Sequence, residues 1–245
     1  MPPEDRVPRL TQVDTEEDWE RVIEAASAAQ LIVSEAVLVG GSAAALHVGH
    51  RFSKDDDHVV RDLKGRFDRV LEDLEVVAGW KTARVRRPVL ILGQLDGVDT
   101  GIRNLRRVAP LETEILETKF GPIRLPTIAE MLRIKAWLVT TRNATRDYVD
   151  VAALSARIEE SSAGAAEQTL SELDEFYPQE NGASVALQLA KQLADPAPYD
   201  LEPDGDLRVY RMIAERWSNW EKVAQHNREL GARLLRRVAA KIREA

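Results

Sequence analysis

The chain has 245 residues, 44% hydrophobic, 31% charged and none of them cysteine, so it is long enough to bury a core without disulfides or structural zinc. The lack of cysteine excludes a disulfide framework, a CxxC redox pair, a thiol nucleophile and any cysteine-ligated metal. Lys and Arg number 34 against 41 Asp and Glu, a net charge of −7, and aromatics at 5% are too sparse for a base-stacking surface of the RRM or OB type.

Residues 1–13 hold three prolines and little periodicity, and read as a polar tail with no apolar h-region. No run approaches the ~20 apolar residues of a membrane span, so a soluble cytoplasmic protein without a membrane partner is expected. Thr15 with Asp18 forms a capping-box pattern ahead of Trp19, Val22, Ile23 and Ala26 at helical spacing. Val37-Leu38-Val39 is too short for a helix and is stopped by Gly40-Gly41, which marks a buried strand; Ser42–His47 then reads as a short helix. Asp55–Val60 ends in two β-branched residues and predicts the next strand. Leu63, Phe67, Val70, Leu71 and Leu74 make 62–78 an amphipathic helix. Strands follow at about 80–86 and 89–95, then a turn at Asp96-Gly97 and a strand at 98–103. A further hairpin spans about 113–125.

After Pro126 only helical patterns remain: 127–141 (opened by Thr127 and Glu130 as a capping box), 145–159, 164–176, 183–194 and 207–243, with a Pro-rich linker near 195–206. The expected organisation is a tail at 1–13, a mixed α/β domain at 14–126 and an all-helical domain at 127–245.

Two glycines between a strand and a helix N-terminus let backbone amides approach an anion, so Gly40, Gly41 and Ser42 are candidates for phosphate contact. Asp55 and Asp57 alternate by two and therefore face one side of a strand, where two oxygen ligands suit Mg²⁺. The order strand, Gly-Gly-Ser, short helix and Asp-x-Asp on the next strand is the layout of the nucleotidyltransferase fold. The run from Gly40 through His47, Gly49, His50, Arg51 and Ser53 to Asp55 and Asp57 resembles the first motif of the AbiEii/AbiGii toxin-like nucleotidyltransferases. That family is known from abortive-infection and toxin–antitoxin systems. Lys135, Arg142, Arg146, Asp147 and Asp150 resemble its second, Lys…Arg…Arg-Asp-x-x-Asp segment. Together the motifs cover roughly residues 35–155.

The resemblance implies an α+β fold: a mixed sheet with flanking helices, followed by an all-helical C-terminal domain. It implies Mg²⁺ (or Mn²⁺) on Asp55 and Asp57, phosphate contacts from Gly40, Gly41, Ser42 and Ser53, and Lys135 on the leaving pyrophosphate. Arg142, Arg146, Asp147 and Asp150 would complete the nucleotide pocket, with Asp147 among the catalytic groups. Read from the residues alone, Lys135 is equally a solvated helix-face lysine, and Asp147 and Asp150 could pair with Arg142 and Arg146. A third carboxylate is expected on the strand at 98–103; Gly101 occupies its place, and Asp99, two residues earlier on the same face, is the candidate substitute and third metal ligand, ahead of Asp96 in the turn. Tyr148, His47 and His50 read as structural, and Arg51 meets either a phosphate or an acidic neighbour.

Two basic stretches, 81–107 with seven cations against two carboxylates and 207–245 with ten against four, are candidate polyanion surfaces. Trp217 and Trp220 read as packing residues. The expected activity is transfer of NMP from an NTP to a macromolecular acceptor. The family resemblance points to the 3′ end of tRNA, in a toxin or phage-defence setting with a cognate antitoxin. The competing reading is a degenerate nucleotide- or partner-binding module without turnover; a DNA-binding regulator ranks last.

Overall fold

The computed structural model describes residues 10, 12–107, 109–210 and 212–244, the Glu244 side chain excepted. Most of the expected tail, and Arg211 of the second basic stretch, lie outside the described residues. The chain forms two compact units. One comprises the chain up to Leu46 together with Phe52–Pro126; the other comprises His47–Arg51 and everything from Thr127 onward.

In the first unit, α1 (Glu16–Ile32) begins at Thr15, whose side chain accepts from the Asp18 amide while the Asp18 carboxylate accepts from the Thr15 amide. This is the reciprocal box the spacing predicts. β1 (Val37–Val39) runs straight into α2 (Gly40–Val48), followed by β2 (Asp55–Val60), α3 (Leu63–Glu75), β3 (Trp80–Arg86), β4 (Leu90–Leu95) and β5 (Val98–Asn104). β6 (Thr113–Thr118) and β7 (Gly121–Pro126) form a separate hairpin. The five-stranded sheet has the order β1-β2-β5-β4-β3, with β2 and β5 parallel and the other pairs antiparallel. Asp96 (φ 48°) and Gly97 (φ 82°) supply the two left-handed residues of the β4–β5 turn.

Strand alternation gives this sheet two distinct faces. On the inner face Val60, Ile102, Ile91, Leu95 and Trp80 pack with residues of α1 and α3. Leu10 and Val13, which sequence pattern leaves in the tail, are buried with Val22 and Val98, and the Leu10 amide donates to the Gly97 carbonyl. Their apolar side chains find a small core of their own.

The second unit is helical: α4 (Ile128–Arg142), α5 (Thr145–Ser161), α6 (Ala165–Leu170), α7 (Leu173–Phe176), α8 (Val185–Ala194), a 3-10 turn at Glu215–Trp217, and α9 (Trp220–Glu244). Three departures from periodicity have local causes. The helix expected at 164–176 is broken, because the Ser171 hydroxyl donates to the Gln168 carbonyl and competes with the helical ladder. Apart from the 3-10 turn, the described residues of 207–219 are not helix: Asp206 bridges Asn219, and Met212 takes a left-handed φ of 53°. At Thr127 only half the capping box forms, since the buried Glu130 carboxylate turns to Arg133 instead.

Candidate active site

The triplet at 55–57 is divided by the pleat. Asp55 and Asp57 lie half-buried on the outer face of the sheet, while Asp56 is fully buried on the inner face. Burial pushes the Asp56 carboxyl well above the ordinary carboxylate range, and neighbouring Asp57 adds to the effect. Burial therefore disfavours the charged form of Asp56 against the core.

The parallel register sets Asp55 opposite Asp99 and Asp57 opposite Gly101. All three carboxylates thus share the outer face of adjacent strands. The Gln94 side-chain amide donates to Asp99 at 2.9 Å, and the Arg103 guanidinium pairs with Asp57 at 3.3 Å. Among the described residues no group of three His, Asp or Glu side chains is already gathered as a metal cage. The chemistry of the donor set nonetheless fits a hard divalent cation, because Asp55 and Asp57 offer oxygen alone and on one face.

Gly101 is needed where it stands. A Cβ there would lie 2.5 Å from Asp57 Oδ1, so the missing side chain leaves the room that Asp57 occupies. Gly40 plays the matching part on the other flank: it adopts φ +78°, and its would-be Cβ lies 3.5 Å from the Asp57 Cβ. The turn from β1 into α2 therefore reaches the Asp57 side of the strand, with Gly41 half-buried next to it. Ser42 is fully buried and its hydroxyl donates to the Asp55 carbonyl at 2.5 Å, tying α2 to β2. Ser53 is half-buried in the loop before β2.

The second motif assembles within the helical unit. Asp150, fully buried on α5, accepts from His50 Nε2 at 2.7 Å, Arg51 Nε at 2.8 Å, Arg51 Nη2 at 2.9 Å and Lys135 Nζ at 2.6 Å. Burial alone would raise its pKa, but Arg51 and Lys135 outweigh that and hold the carboxyl well below its usual range. Lys135 is 3% exposed, so it is not a solvated helix-face lysine, and its ammonium is committed to Asp150. His50 is a buried hydrogen-bonder whose pKa is lowered by desolvation despite Asp150. Arg51 resolves to its acidic neighbour, with the ring of Tyr210 also beneath its guanidinium.

Arg142 closes α4, and Asn143 in the left-handed conformation (φ 49°) ends the helix before α5 starts. Arg142 and Arg146 therefore lie on different helices. The Arg142 guanidinium donates to buried Asp147 at 3.0 Å. Arg146 is exposed. Tyr148 is a packing residue: fully buried, with its hydroxyl donating to Asn143 and Trp220 edge-on at its ring.

Two pairings are not read from the sequence: Arg103 with Asp57, and the His50–Arg51 pair with Asp150. The first was accessible from period-2 alignment, since Asp99, Gly101 and Arg103 fall on one face of a strand. The second pair is about 100 residues from its partner, and no local pattern reports it.

No family model matches the chain. Part of it is 36% identical over 104 residues to the probable transport protein MmpL11 of Mycobacterium leprae, covering 41% of this chain and 10% of that protein. It is also 33% identical over 130 residues to the mycolic acid-containing lipids exporter MmpL11 of Mycolicibacterium smegmatis, covering 52% of this chain and 13% of that protein. The chain thus spans about a tenth of the length of the curated relatives it matches. Among the described residues no helix is long and apolar enough to cross a membrane. The fold comparison is broader. JHP933 of Helicobacter pylori superimposes with a TM-score of 0.53 at 16% identity, over 95% of this chain and 97% of that one. A second H. pylori structure, provisionally named a nucleotidyltransferase, gives the same score and identity over 92% and 98%. This chain has a nucleotidyltransferase-like fold. Its mixed sheet, flanking helices and helical C-terminal region make it an α+β protein of that type.

Proposed function

We propose that this nucleotidyltransferase-like chain is a metal-dependent enzyme that moves NMP from an NTP to a macromolecular acceptor. The parallel β2–β5 pairing carries the reading, because it places Asp55, Asp57 and Asp99 on one face beside the Gly40 turn. Asp55 and Asp57 would hold Mg²⁺ or Mn²⁺, with the NTP's phosphates as further ligands. A bound ion of this kind supplies neutralisation of phosphate charge. The acceptor hydroxyl forms a bond to the α-phosphorus, the bond to pyrophosphate breaks, and Asp99 is the carboxylate left to take the hydroxyl proton. Positioning does most of the work in such a transfer. The motif resemblance would make Lys135, Arg142 and Arg146 phosphate contacts; Arg142 and Arg146 are exposed, and Lys135 is paired with Asp150. The motif resemblance adds the 3′ end of tRNA as acceptor, a toxin or phage-defence role, and an antitoxin partner. The transport names of the partial relatives are not carried over, since the match covers so little of those proteins.

A second reading, nucleotide binding without turnover, is favoured by Gly101 at the expected carboxylate and by Arg103 bonded to Asp57. One experiment separates the two. The protein is incubated with Mg²⁺, each α-labelled NTP in turn and total tRNA, with Asp57→Ala as control. Label on RNA that depends on Asp57 establishes the transferase; label on the protein changes the acceptor. No label, with NTP still raising the melting temperature, leaves the binder.

A further inference from the structure

A second feature of the outer sheet face lies at its far edge. β3 is the edge strand, and its register on β4 slips by one residue between Thr82 and Arg84. Before the slip Lys81 pairs with Gln94, on the outer face; after it Arg84 pairs with Leu92 and Arg86 with Leu90, on that same face. Were Ala83 paired in regular register with Leu92 instead of bulged, Arg84 would pair with Ile91, and Arg84 and Arg86 would fall on the inner face, where Val85 now packs beside Ile91. The bulge therefore gathers three cations on the carboxylate-bearing side of the sheet.

Following the register across the sheet, Asp55 leads through Asp99 and Gln94 to Lys81, and Asp57 leads through Gly101 and Leu92 to Arg84. The β2 carboxylates and the β3 cations are three strand spacings apart, about 14 Å, and Asp99 on β5 is two spacings away. Along β3, Arg84 and Arg86 repeat at about 7 Å, comparable with the interval between successive phosphates of an extended single strand. Lys81, Arg84 and Arg86 are exposed and, among the described residues, have no carboxylate partner. The C-terminal basic stretch differs: Arg233 pairs with Glu159 and Glu167, Arg228 with Glu221, and Arg208 with Asp206 and Glu215. Much of its local excess is spent inside the protein.

We propose that the outer face of β3, through Lys81, Arg84 and Arg86, binds the sugar–phosphate backbone of a single-stranded nucleic acid whose end is presented to the carboxylates of β2 and β5. This rests on the transferase reading and names its acceptor as nucleic acid. Cations on an edge strand also deter sheet-to-sheet association, but that role predicts no dependence of ligand affinity on salt.

The test is binding of a fluorescent single-stranded RNA oligonucleotide by the full chain, titrated from 50 to 200 mM salt. The partners are the triple variant Lys81→Gln, Arg84→Gln, Arg86→Gln and, as control, Arg236→Gln, Arg237→Gln in α9. Three lost phosphate contacts flatten the salt slope by about 2, so over this range wild type loses about twentyfold more affinity than the triple variant. Exchanging the strip for Lys81→Arg, Arg84→Lys and Arg86→Lys restores binding. An unchanged slope in the triple variant, or loss only in the α9 control, overturns the proposal. So does a fall in Mg-NTP affinity with oligonucleotide affinity intact, which would give the strip to the nucleotide. NTP consumption is scored separately: RNA binding through the strip without label transfer would sink the transferase and leave the surface standing.

Discussion

Asp57 is hemmed in by two glycines and an arginine, and each neighbour has a separable effect. Gly101→Ala places a methyl 2.5 Å from Asp57 Oδ1, too close for either to stay put, and the short side chain can yield by rotating. The expected outcome is a folded protein with transfer reduced at least tenfold, checked by thermal melting beside the label-transfer assay. Asp57→Ala loses transfer and keeps its melting temperature, because removing one of three carboxylates on one face relieves repulsion when no cation is bound. A collapsed melt would make Asp57 structural. The inner neighbour behaves oppositely: burial disfavours the charged form of Asp56, so Asp56→Asn is expected to change either readout little. Alternation alone was enough to separate 55 and 57 from 56. That Gly101 makes room for Asp57 was not legible, since it depends on the β2–β5 register.

At the level of elements, the buried ion cluster fastens α4 and α5 to the short segment 47–51. Asp150→Asn leaves Arg51 and Lys135 buried without their counter-charge, and breaking such a pair costs about 3–5 kcal/mol. Urea unfolding should show that loss; a shift under 1 kcal/mol would mean the two cations find other partners. Helix and strand order was readable because periods of 2 and 3.6 are local properties of the chain. The bulge at Ala83, the break at Ser171 and the late start of α9 were not, because each is decided by a hydrogen bond or register that periodicity does not encode. Lys135 was ambiguous for a related reason: a lysine on a helix says nothing of the carboxylate one helix away.

For the molecule as a whole, acid is the condition that tests its buried histidines. His226 is held at about 4 by burial first and by Arg216 and Arg233 second, while its Nε2 lies 2.9 Å from the Ser155 hydroxyl. Its ordinary value is about 6.5, so the unfolded chain takes up the proton first as pH falls. Stability from this group is complete above about pH 6.5 and declines toward pH 4, by about 3 kcal/mol over the window. His50 and His58 shift in the same direction. Chemical denaturation at pH 7 and pH 5 should show the slope, and His226→Gln should remove its share. A slope that is unchanged in that variant would assign the acid sensitivity elsewhere.

The excursion of residues 47–51 has a consequence for how this protein can be taken apart. The backbone enters the helical unit, leaves it after five residues, and returns only at Thr127. A single cut at 126/127 therefore yields no self-sufficient half: the C-terminal fragment keeps Asp150 and Lys135 but loses His50 and Arg51. Gene fusion or shuffling at that point would separate Asp150 from two of its buried partners. Split expression should recover a soluble pair only when both fragments are made together.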